Sequence, residues 1–242
     1  MARGNRLMIV AAFTLGVVST PASAQTSDTA AEADQVRFTL GLKLWYNNWE
    51  TWGHPFEAER SDTKLTWIPA LGASYGRFFG SFSYFNKTRY NFPVTYGNVD
   101  RREMDLSAGY WVLQGEGGRI GVSVGYKEVR QKFSTVDEKI TAPFIGLTAS
   151  GHITGPWSLY MSGAYGPAKE TFQGFEATGY YASTEAGIAY ALARSTVLTA
   201  GYKTQVIDVG GSGCNGASGV LTSSARCRDA TDGFVVGISH TF

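Results

Sequence analysis

From Val36 the chain alternates. Val36, Phe38, Leu40, Leu42, Leu44 and Tyr46 are apolar, and between them stand Arg37, Thr39, Gly41, Lys43, Trp45 and Asn47, all polar or small except Trp45. A period of two puts one set on each face of a β-strand. Similar runs return at Lys64–Tyr75, Arg77–Tyr90, Arg102–Val112, Arg119–Arg130, Ile140–Gly151, Trp157–Gly166, Phe175–Leu192, Thr196–Ile207 and Asp232–Phe242. The pattern predicts an all-β chain of about ten strands. Pro69 and Pro143 fall inside two of the runs. Proline cannot donate to a ladder, so bulges or strand ends are expected there.

The connections alternate in length. Tyr75-Gly76-Arg77, Gln114–Arg119, Ile153–Pro156 and Ala193-Arg194-Ser195 are short and rich in turn residues. Glu50–Ser61, Asn91–Asp100, Gln131–Glu138, Pro167–Gly174 and Val209–Thr231 are longer and more polar. The apolar faces also carry aromatics at a fixed spacing. Phe38 and Tyr46, Trp67 and Tyr75, Trp157 and Tyr165, and Phe234 and Phe242 are each eight residues apart. Eight residues rise roughly 27 Å along a strand. Tilted by ~40°, that covers about 20 Å, close to the height of an apolar membrane band between two aromatic girdles.

The two ends of the sequence add to this. Arg3 and Arg6 precede an apolar stretch from Leu7 to Val18, and Ala22-Ser23-Ala24 follows. This is the pattern of a secretory signal peptide cleaved after Ala24, and the stretch is shorter than the ~20 residues of a spanning helix. At the other end Phe234, Val236, Ile238, His240 and Phe242 share one face, and the sequence stops on Phe242. This last run resembles the final strand of Gram-negative outer-membrane β-barrel proteins, which ends in an aromatic and closes the barrel against the first strand. His240 stands where that family more often has a bulky apolar residue. The resemblance covers Val36–Phe242 and implies an antiparallel up-and-down transmembrane β-barrel, with short turns in the periplasm and long loops outside. Residues 1–24 are then the leader, 25–35 a periplasmic lead-in and 36–242 the barrel. The resemblance further implies outer-membrane lipid and lipopolysaccharide as surroundings, and recognition by the barrel assembly machinery through the strand that ends in Phe242.

Composition agrees with this reading. Thirty glycines, 14 Phe, 13 Tyr and six Trp are a heavy load of the residues that curved sheets and membrane girdles use. Without its leader the chain keeps 19 basic and 20 acidic residues of the original 21 and 20. A nucleic-acid partner, which wants a basic surface, is not expected.

Several groups could carry chemistry. Strict alternation puts Arg37, Lys43, Lys64, Lys87, Arg89, Lys127 and Lys203 in the lumen, with Glu103, Asp105 and Glu185. In a bore of about ten strands such side chains either pair and fill it or line a narrow path for small solutes. Cys214 and Cys227 share the longest loop, and an exported chain allows a disulfide between them. No metal site or cofactor is expected. Trp49, Trp52 and Phe56, with Trp45 before them, read as girdle and loop packing, or as an aromatic patch for a lipid, sugar or protein ligand. His54 lies near Glu50, Glu57 and Asp62, but no Ser or Asp motif singles out a nucleophile, so no catalytic residue is assigned. The leading expectation is an integral outer-membrane barrel, structural or a narrow charge-lined conduit. An adhesin-like or ligand-binding barrel working through its outer loops comes next, and a lipid-modifying or proteolytic barrel third.

Overall fold

The computed structural model describes residues 35–53, 58–94, 96–133, 137–172, 174–210 and 226–242. The leader, His54, Phe56 and Cys214 lie outside these residues. The strands are β1 (Arg37–Gly53), β2 (Glu59–Arg60), β3 (Lys64–Tyr75), β4 (Phe78–Phe92), β5 (Gly97–Gly115) and β6 (Gly118–Lys132), followed by β7 (Asp137–Thr154), β8 (Trp157–Phe172), β9 (Phe175–Ala193), β10 (Thr196–Gly210) and β11 (Arg226–Thr241). The two residues of β2 pair with the far end of β1 and continue the line of β3, so the wall has ten strand positions. Neighbours in sequence are neighbours in space and all pairs are antiparallel. The ladder between β1 and β11 closes the sheet from Thr39–Thr241 to Gly53–Cys227. The Phe242 N–H donates to the Phe38 carbonyl at 2.8 Å and the Thr241 N–H to that of Ser195, which ties the terminal strand to the first strand and to the last turn.

One end of the barrel carries the short turns. Gly76 and Gly155 turn the chain there with φ of 57° and 54°, a region that costs other residues strain. At the opposite, loop end the strands run on past the apolar stripe. β1 reaches Gly53, β5 starts at Gly97, and β8 and β9 continue to Phe172 and from Phe175. Much of what the sequence suggests as long loops is therefore paired strand whose outward face is polar.

The outward face is apolar over the turn-side part of the wall. All eight of the regularly spaced aromatics, Phe38, Tyr46, Trp67, Tyr75, Trp157, Tyr165, Phe234 and Phe242, are exposed on it, among leucines, valines and isoleucines. The core is inside the barrel. It mixes large with small: Trp45, Trp49, Phe85, Tyr90 and Phe92 cluster on one part of the wall, and Ala142, Ala164, Ala168 and Ala177 line another around Phe144 and Tyr181. Inward glycines make room for rings. A Cβ on Gly109 would stand 2.3 Å from Phe79, and one on Gly125 2.2 Å from Phe144.

Both prolines mark breaks in a ladder, although the strands themselves continue. β3 pairs with β4 only from Ala70–Ser83 to Tyr75–Phe78, and the pairing stops beside Pro69. Between β7 and β8 the register holds at Thr141–Lys169 and Ile145–Tyr165 but skips the stretch around Pro143. A bulge interrupts β4 between Phe85 and Thr88.

Candidate functional site

The inward faces of β1, β5, β6, β9 and β10 bring the charges together. Glu103 is the hub. It accepts from Arg101 Nε at 2.8 Å, Lys127 Nζ at 2.6 Å and Gln205 Nε2 at 3.1 Å. Lys127 also reaches Asp105 at 3.0 Å. A second pair, Lys43 Nζ to Glu185 Oε1 at 2.6 Å, lies toward the turn end. Lys203 sits 4.8 Å over the Trp45 ring, within electrostatic reach of both Glu103 and Glu185. Aromatic rings cover the other cations: Arg101 lies 4.7 Å over Trp49, and Lys127 5.5 Å over Tyr181.

Nearer the loop end, aromatics and polar groups interlock. Trp49 meets Tyr90 and Phe92 edge to face, and the Tyr90 hydroxyl donates to Asn47 Oδ1 at 2.5 Å. Thr51 and Gln131 both donate to Asp229. The result is a filled bore. Trp45, Trp49, Tyr90, Phe92, Arg101, Glu103 and Lys127 are all 0–2% exposed. Charge this deep is tolerated because Glu103 and Glu185 each meet a cation at 2.6 Å and Asp229 takes hydrogen bonds from Thr51 and Gln131.

Seven of the ten charges expected in the lumen lie on inward faces: Arg37, Lys43, Glu103, Asp105, Lys127, Glu185 and Lys203. Lys64 keeps the inward phase but sits half-exposed at the loop-end rim, 2.6 Å from Asp62. Lys87 and Arg89 correct the expectation outright. The bulge at Phe85–Thr88 adds a residue to β4 and reverses its faces, so Tyr90 and Phe92 turn in while Lys87 and Arg89 turn out. Both then bond Asp100 on the outer wall, at 2.8 Å each. Trp49 is corrected too: it is a strand residue packed in the lumen, not part of a loop patch. Trp52 is also a strand residue, paired with Arg228 at the loop end. Cys227 faces the lumen beside Val209.

Three members of the network were outside the expected strands. Arg101 shares the parity of Glu103 and Asp105 but precedes the apolar run, and Gln131 and Asp229 lie in stretches that read as loops. Parity extended past the last apolar residue would have found all three. Of the two described histidines, His152 lies next to a turn and His240 bonds Thr196 at 2.8 Å near the same end of the barrel.

No protein-family model matches the chain, and no curated protein matches it in sequence. Solved structures do match. The outer membrane protease OmpT of Escherichia coli superposes with a TM-score of 0.60 at 12% identity, over 91% of this chain and all of that one. A Pseudomonas aeruginosa FadL homologue gives a TM-score of 0.40 at 10% identity, over 92% and 94% of the two chains. Neisserial surface protein A gives 0.36 at 14% identity, over 86% and 100%. At such identities the likeness is one of fold. The chain has the fold of an outer-membrane β-barrel: ten antiparallel strands in up-and-down order, closed first to last.

Proposed function

We propose that this is an exported, integral outer-membrane barrel with a closed bore, a rigid stalk that holds its loop end outside the cell. The observation that carries the reading is the packed lumen, where the central Trp, Tyr, Phe, Arg, Glu and Lys side chains are almost wholly removed from solvent. An ion crossing it would have to displace side chains whose charges already have partners. A barrel of about this size is filled by its own side chains, whereas open aqueous channels belong to much wider ones. The apolar outer face and its two aromatic levels support the membrane setting. In that setting the turn end is periplasmic and the terminal strand is the one offered to the assembly machinery.

Planar-bilayer recording tests this. The refolded chain is expected to give no steady current across a salt gradient, and Lys43→Ala or Lys203→Ala to leave it silent. A steady conductance with ion preference would instead make the inward lysines the lining of a pathway.

A further inference from the structure

Above the apolar belt the charge of the outer wall is uneven. On β4–β7 six cations face out, Lys87, Arg89, Arg102, Arg130, Lys132 and Lys139, against three carboxylates, Asp100, Glu128 and Asp137. Around the rest of the described rim, leaving aside the Asp62–Lys64 pair, Arg60, Lys169, Arg226 and Arg228 are matched by Glu50, Glu176, Asp208 and Asp232. The excess is therefore confined to one side of the barrel.

Register aligns it further. Arg102 pairs with Arg130, and Arg130 with Lys139, so three cations stand in one row across β5, β6 and β7. Strands are spaced ~4.8 Å apart, which makes the row about 10 Å long. Like charges directly opposite repel. Glu128 reaches two members of the row, Arg130 Nε at 2.6 Å and Lys139 Nζ at 3.0 Å. Arg102 is exposed and has no ion-pair partner among the described residues. The next row toward the loop end, Arg89, Asp100, Lys132 and Asp137, alternates in sign and needs nothing more.

The height of the row is as telling as its charge. One step below Arg102 on the same face is Met104, then Leu106; below Arg130 come Glu128, Tyr126 and Val124. The row stands where the apolar belt gives way to charge, which in a membrane is the level of the lipid headgroups.

We propose that the Arg102–Arg130–Lys139 row binds the phosphates of a phosphorylated glycolipid headgroup in the surrounding leaflet. Two guanidinium forks opposite one another suit a shared phosphate, each offering paired N–H donors, and Lys139 supplies a third charge. Lys87, Arg89 and Lys132 flank the row and draw the anion toward this side. The inference rests on the membrane reading above.

Refolding the full chain into phosphatidylcholine nanodiscs doped with bis-phosphorylated lipid A tests both, with bound lipid A counted by native mass spectrometry as its mole fraction rises. A folded barrel announces itself separately by faster gel migration before heating. Each cation near an anionic surface is worth roughly fivefold in binding, so Arg102→Gln with Arg130→Gln is expected to weaken retention about 25-fold. Arg226→Gln with Arg228→Gln, on the balanced side, is expected to change it less than twofold. Unchanged retention in the first variant, or equal loss in both, would overturn the site while leaving the barrel reading intact. A wild-type chain that does not fold into the discs at all would overturn the membrane reading and the site with it.

Discussion

Glu103 shows what a single side chain does for this lumen. Its carboxylate is the shared partner of Arg101 and Lys127, both buried as deeply as it is. Glu103→Gln leaves those cations with only Asp105, which reaches Lys127 alone. Removing one partner of a buried pair costs about 3–5 kcal/mol. A loss of that size is expected in the unfolding free energy from urea titration of the chain refolded in lipid vesicles. Lys43→Met with Glu185→Met, which removes an ion pair whole, is expected to cost less, because Lys203, which also faces Glu185, keeps Glu103 within reach. Asp100 belongs to a different setting, on the outer wall above the apolar belt. Hydrogen bonding to the Arg89 guanidinium, helped by Lys87, holds its carboxyl at about 2, below its ordinary range. Since the folded value is the lower one, the pairing stabilises the β4–β5 extension fully above about pH 4 and loses that effect as pH falls through 2. Amide exchange at Tyr90 and Asn98 is expected to accelerate over that window, and Asp100→Asn to remove the change.

The strands themselves were the most legible part of the sequence, because a face turned to lipid must be apolar at every second residue and few other arrangements repeat that ten times. The boundaries were less so. Once a strand rises above the belt, its outward face turns polar and its inward face mixes rings with polar groups, so alternation no longer marks it; β1 beyond Asn48, the first residues of β5 and the last of β8 read as loop for that reason. The bulge in β4 left no trace, since Asn86 and Lys87 are as ordinary in a loop as in a strand, yet it reverses everything after it. Lys87 and Arg89 were misplaced by that one residue, and Tyr90 with them, whereas Phe92 falls in the stretch that reads as the Asn91–Asp100 connection. Trp49 was hidden because tryptophan near the end of an apolar run suits a girdle as well as a lumen. Deleting Asn86 is a direct check. It takes out the extra residue, so two residues of β4 again span two of β5; counted from Phe85, Thr88, Tyr90 and Phe92 still face in and Lys87 and Arg89 still face out. The folded, fast-migrating form is expected to persist, whereas a chain whose faces ran by strict alternation through Asn86 would lose it. Gly109→Val is expected to be destabilising. The new side chain meets Phe79 and the Val122 carbonyl, and overpacking of this kind costs about 1–3 kcal/mol, visible as a lower melting temperature in vesicles.

Taken whole, the molecule turns the usual protein inside out without losing a polar problem to solve. Its exterior offers hydrocarbon, and its interior holds the ion pairs that a soluble domain keeps at the surface. The arrangement accounts for a bore filled by about as many charged and amide side chains as rings. Folding is expected only with lipid or detergent present, and the folded chain should migrate faster on a gel than the heated one. A chain monodisperse in plain buffer would be incompatible with so much exposed Leu, Val, Phe and Trp.

The pairing map also separates two things that are easily assumed to coincide: the place where the polypeptide begins and ends, and the place where the cylinder is least well sewn. The join between first and last strands runs the length of both, while the β3–β4 ladder stops at Ala70–Ser83, beside Pro69. Moving the termini is therefore a matter of bookkeeping for the chain more than for the cylinder. A circular permutant that links Phe242 to Arg37, whose neighbour Phe38 it already touches, and opens at Gly76 would put the new ends on the weakest line of the wall and should still close.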